Sequence, residues 1–244
     1  MRYTLVSALA AVIAVPASAA VTVHQGNLAA FNAAAGSPSI AIDFESLSGN
    51  IAGQTISGVT FSNPDGNTLD VVNAADTFST PGFGGPTNKL PATSGAKVLS
   101  PGGAELVAGP DPRQRDSLVL TFAAPVSAFG LDILFQSLDC CSFTNFQVFN
   151  GSNGLIASGG VNANGGGDGG SFFLGFTSDS ADIARVVISE FDDNAAFPDS
   201  NIGYDSFRFA AANPVPEPAS WAMMIAGFAL AGASLRRRTR VSFA

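Results

Sequence analysis

The spacing of apolar residues changes period once along the chain. Leu28-Ala29-Ala30-Phe31-Asn32-Ala33-Ala34-Ala35 is a run dominated by helix formers and followed by Gly36, and it predicts one short helix. Beyond it the period is two. Ile40, Ile42 and Phe44 alternate with Ala41, Asp43 and Glu45; Leu118, Leu120 and Phe122 with Val119 and Thr121; Phe129, Leu131, Ile133 and Phe135 with Gly130, Asp132 and Leu134. Such alternation predicts strands with one buried face. Further strands are predicted at 56–62, 68–72, 143–149, 171–177, 183–190 and 202–210.

Between these runs lie Gly, Asn, Pro and Asp clusters, including Asn63-Pro64-Asp65-Gly66-Asn67 and the stretches 81–88, 109–112 and 162–170, the last predicted as a mobile loop. They supply the turn conformations that close reversals need. Ala123-Ala124-Pro125-Val126 separates two strong strands and predicts a hairpin or arch, because a proline cannot donate to a central ladder. Eight or more strands with no long helix predict an all-β fold, an antiparallel β-sandwich of jelly-roll type, with the phenylalanines at alternating positions forming its core.

Both ends break the pattern. Arg2, an apolar stretch from Leu5 to Val15 and the small-x-small site Ala17-Ser18-Ala19 read as a secretory signal peptide over 1–19. Near the other end, Pro216-Glu217-Pro218 leads into an uncharged apolar run over 219–235, followed by Arg236, Arg237, Arg238 and Arg240. As a helix the run is about 26 Å long, close to the ~30 Å hydrocarbon core of a bilayer. Trp221 and the arginines suit the two membrane interfaces, and the basic tail is expected on the cytoplasmic side. The passenger between these segments is 20–213.

Pro216-Glu217-Pro218, two residues, Trp221-Ala222, the apolar stretch with Gly227 and Gly232, and the arginine cluster together resemble the PEP-CTERM sorting signal of Gram-negative bacteria in its PEPxxWA variant, over 214–240. The resemblance implies that an exosortase, a membrane protease-transpeptidase, reads the signal from outside the inner membrane. Pro216, Glu217 and Pro218 then form the recognised motif, and Trp221, Arg236, Arg237 and Arg238 complete the signal. It also implies a transient inner-membrane anchor, and release or attachment outside that membrane in bacteria that often make exopolysaccharide.

Charge narrows the partners of the passenger. Five of the eleven basic residues and one of the nineteen carboxylates, Glu217, lie in the terminal segments, which leaves six against eighteen, all between Asp43 and Asp205: a formal charge of −12. Phosphate recognition needs Lys and Arg, so nucleic acid is not expected as a partner. One histidine, His24, near the start of the passenger, reads as a solvated terminus, and no Gly-x-Ser-x-Gly elbow is present. Asp132, Asp139, Glu190, Asp192 and Asp193 show no spacing that sets two carboxylates across a cleft. No enzyme is expected.

Two constellations carry specific expectations. Asp43 and Glu45, on one face of a strand, with Asp205 near the start of the last strand, form a candidate structural calcium site made of hard oxygen ligands. Cys140 and Cys141 are adjacent and are the only cysteines, so an oxidising exterior favours a vicinal disulfide, with free thiols or an interchain bond as alternatives. Three functions remain open: a noncatalytic exported surface or matrix protein, a carbohydrate-binding module, or an extracellular glycoside hydrolase. A sugar-binding face would need exposed Trp or Tyr, and the passenger holds only Tyr204.

Overall fold

One strand organises the whole molecule. In the computed structural model, which describes residues 20–64, 66–77, 90–101, 117–135, 142–161, 170–192, 202–211, 223–230 and 232 (without the side chains of 142, 143, 190–192 and 211), Leu118–Phe135 forms a continuous strand of 18 residues, β8. The elements before it are β1 (Val21–Gln25), helix α1 (Leu28–Ala35), β2 (Ile40–Ile42), β3 (Gly49–Asn50), β4 (Thr55–Ile56), β5 (Val59–Ser62), β6 (Leu69–Asn73) and β7 (Lys97–Pro101). After it come β9 (Ser142–Phe149), β10 (Leu155–Gly160), β11 (Ser171–Ser178), β12 (Ile183–Asp192) and β13 (Ile202–Ala211). Every strand pair is antiparallel.

β8 changes partners half-way. Its first half, 118–122, lies between β12 and β5, in the array β10-β9-β12-β8-β5-β4. Its second half, 128–135, lies between β11 and β13, in a second array that adds β1 on β11 and adds β2 and β7 on β13, with β6 and β3 beyond β7. The hairpin or arch predicted at 123–126 is therefore overturned as a break between two strands. Pro125 does interrupt the ladder, but it falls where the strand exchanges one set of neighbours for the other, and the chain runs on without reversing.

The facing sides of the two arrays form one core. Phe61, Leu118, Leu120, Val148, Val186 and Ile188 from the first meet Phe129, Leu131, Ile133, Leu174, Phe176 and Phe207 from the second. This is an antiparallel β-sandwich, and its phenylalanines are core residues, as the alternation predicts. At about 25 cal/mol per Å2 of apolar surface, each fully buried ring stabilises the fold by about 1.5–3 kcal/mol.

The outer face of the second array is also covered, in two places. α1, capped by Asn27, whose side chain accepts from Ala30 N, and closed by the left-handed Gly36, lays Phe31 over Gly130 and Gly175, which face each other across β8 and β11. A Cβ on either glycine would come within 2.7 Å of the Phe173 ring beside them. At the far end Leu90 lies over Gly203 and packs with Ala74, Val98 and Leu134. The glycines on this face are recesses that let covering side chains approach the backbone.

Three boundaries differ from expectation. The run at 56–62 divides at Ser57 (φ 50°) and Gly58 (φ 80°), two left-handed residues that make a tight hairpin between β4 and β5. β2 stops at Ile42, and Phe44 (φ 62°) turns the chain instead of extending the strand; Ile40 is 39% exposed. His24 is buried on β1, bonded to Thr177 Oγ1 at 2.9 Å and edge-on to Phe31, so it is not a solvated terminus; loss of hydration lowers its pKa from 6.5.

Candidate functional site

The buried acidic side chains and the buried arginine among the described residues, Asp132, Asp205 and Arg208, gather on the outer face of the second array, between the Phe31 and Leu90 clusters. Asp205 on β13 pairs in register with Asp132 on β8, so both side chains rise from the same face. Asp132 lies three residues before the end of β8 at Phe135 and meets Arg208 at 3.6 Å. Arg208 also donates to Ser206 O and lies 5.9 Å from the centre of the Phe173 ring.

Asp205 is fully buried, and donors surround it. Oδ2 accepts from Thr93 N at 2.8 Å, Ser94 N at 2.7 Å and Thr93 Oγ1 at 3.3 Å; Oδ1 accepts from Ser94 Oγ at 2.5 Å and Ser206 N at 2.6 Å. Burial pushes its pKa up from 3.8, and these donors pull the other way. Ser206 takes φ 55°, in an interruption of the β13 register between Asp205 and Arg208.

Glu45 holds the other end of the same short segment. Its Oε1 accepts from Ala96 N and Lys97 N, both at 2.7 Å, and these bonds lower its pKa from 4.5. Gly95, at φ 66° between the two anchors, runs so close to the Glu45 carboxylate that a Cβ would overlap it. Asp43 Oδ1 accepts from Glu45 N at 3.2 Å and so turns the chain locally. Phe44, between the two carboxylates, drives its ring into the core 5.2 Å from Phe207.

Asp43, Glu45 and Asp205 thus belong to one neighbourhood, but they do not share a strand face, because β2 has ended. Among the described residues no three His, Cys, Asp or Glu side chains are grouped to hold a metal ion, and these carboxylates satisfy backbone N–H groups instead. Sequence reasoning missed Thr93, Ser94 and Gly95, the turn-forming triplet that receives the carboxylates. Tyr204 is fully buried, which removes it as a sugar-stacking surface. Cys140, Cys141, Asp139, Asp193 and the loop at 162–169 lie outside the described residues, as do the side chains of Glu190 and Asp192.

At the C-terminal end residues 223–230 and 232 are helical, with Met223, Met224, Ile225, Phe228 and Leu230 all more than half exposed. No helix among the described residues is long and apolar enough to cross a membrane. Most of what surrounds this piece of the predicted span lies outside them: Pro216, Glu217, Pro218, Trp221, Arg236, Arg237 and Arg238, together with the signal peptide at 1–19.

The family described as the PEP-CTERM protein-sorting motif matches residues 214–238. The chain carries a PEP-CTERM motif. That motif implies exosortase processing, export and a transient C-terminal anchor, and the exposed apolar helix falls inside it. No match was found among curated proteins. Among solved structures the chain is similar to the CBM22-1 xylan-binding domain of Paenibacillus barcinonensis Xyn10C, at 15% identity over 68% of this chain and 94% of that one, with a TM-score of 0.26.

Proposed function

We propose that the protein is a noncatalytic surface or matrix protein, delivered outside the inner membrane as a folded β-sandwich, processed there by an exosortase and retained in the envelope or exopolysaccharide layer. The observation that carries this reading is the match of 214–238 to the sorting motif, with an exposed apolar helix inside it. The carboxylates of the sandwich support a structural reading of that domain. Asp205 and Glu45 spend their lone pairs on the backbone of 93–97, and Asp132 pairs with Arg208. With Tyr204 buried, an aromatic sugar platform has no support among the described residues.

Deleting the exosortase of the native host tests the sorting step. The chain should then keep its precursor mass and stay in the membrane fraction. Unchanged processing and location in the deletion strain would overturn the proposal.

A further inference from the structure

The β9–β10 turn reads Asn150-Gly151-Ser152-Asn153-Gly154, two Asn-Gly steps in one exposed reversal. An asparagine followed by glycine is open to self-modification. The glycine nitrogen, once deprotonated, attacks the asparagine Cγ; the new C–N bond forms, the Cγ–Nδ2 bond breaks, and ammonia leaves. Water then opens the five-membered imide at either carbonyl, which yields aspartate or isoaspartate. No oxidant or reductant enters.

From this geometry we infer that Asn150 is a site of spontaneous imide formation and isoaspartate entry, and that Asn153 is held back although it has the same sequence context. The carbonyls of both asparagines are polarised. Asn150 Oδ1 accepts from Ser152 N at 3.1 Å and Gly154 N at 2.8 Å, two backbone donors aimed where negative charge develops in the tetrahedral intermediate. Asn153 Oδ1 accepts from the Arg185 guanidinium at 2.6 Å, which is itself stacked 3.9 Å over Phe149. Electrophile activation therefore does not separate them.

The nucleophiles do. Gly154 N, which would have to attack Asn153, is committed to Asn150 Oδ1 and must give up that bond first. Gly151 N donates to no group among the described residues and stands in an exposed stretch where water and base reach it. The turn is otherwise closed by Asn150 N to Gly154 O and Asn153 N to Asn150 O, both at 2.9 Å. An isoaspartyl link adds a main-chain atom inside that closure. The strand affected is β10, whose one strand neighbour among the described residues is β9.

The test uses the purified full-length chain in detergent, held in mildly alkaline buffer and sampled by peptide mapping with fragmentation that distinguishes aspartate from isoaspartate. In the folded chain Asn150 should convert at least about tenfold faster than Asn153, a barrier difference of about 1.4 kcal/mol. In urea the two should convert at similar rates. Gly151→Ala, whose Cβ would meet only Pro125 Cγ at 3.8 Å, should slow conversion at 150 while leaving the melting temperature unchanged. Equal rates in the folded chain, faster conversion at Asn153, or conversion only after unfolding would each overturn the inference.

Discussion

Glu45 and Asp205 grip opposite ends of 93–97, and their protonation works in opposite directions. Glu45 has a lowered pKa, so its contribution to stability is complete above the ordinary carboxylate value of 4.5 and is lost as pH falls through its folded value. Asp205 has a raised pKa, so between 3.8 and its folded value stability falls as pH rises. Glu45→Gln isolates the first effect, because Asp205 is common to both proteins. Melting curves should show the wild type more stable at neutral pH, with the gap closing in acid; a gap independent of pH would refute the charge argument. Asp205→Ala strands the N–H groups of Thr93 and Ser94, and denaturant titration should show a loss of about 2–4 kcal/mol. Neither role was legible in the sequence. The alternation Ile40, Ile42, Phe44 continues through Glu45 as though the strand did, and only the left-handed Phe44 (φ 62°), a conformation costing about 1–3 kcal/mol, turns Glu45 toward Ala96 and Lys97.

At the level of elements, period-two alternation located most central strands to within a residue or two, because their inner faces meet a single apolar core. It failed at the edges. β1, β3 and β10 gave no clear alternating signal, since short or edge strands carry mixed polarity; β7, paired on both sides, is buried from Val98 to Pro101 and so does not alternate; and β8 was divided at a proline that it accommodates by changing neighbours. The helix was fully legible from its composition and Gly36, but not its purpose, which depends on two glycines 45 positions apart in the chain, Gly130 and Gly175, meeting across adjacent strands. Gly175→Ala should therefore drive Phe31 and Phe173 off the sheet, costing about 1–3 kcal/mol. Asn27→Ala, which removes the N-cap of α1, should cost about 0.5–2 kcal/mol. Both are read by thermal or chemical denaturation, and a neutral Gly175→Ala would show that the rings do not need the recess.

For the whole molecule, the sandwich and the C-terminal motif are separate devices on one chain: one is held by its own core, and the other exposes an apolar helix that has no packing partner among the described residues. Tethering and recognition should then be separable. Ile225 lies within the apolar run 219–235 at 66% exposure, and an aspartate there should oppose bilayer insertion by about 2.5–3.5 kcal/mol. Glu217 lies in the Pro-Glu-Pro motif, ahead of the helix, where a substitution leaves the apolar run intact. Ile225→Asp should therefore yield a chain that leaves the membrane fraction without being cut, because it no longer dwells where the protease acts. Glu217→Ala should yield an uncut chain that stays in the membrane fraction, because the tether survives and the recognised residue is gone. Fractionation with intact-mass measurement distinguishes the two. If both variants behaved alike, anchoring and recognition would be a single property of the apolar run, and the motif ahead of it would have no role of its own.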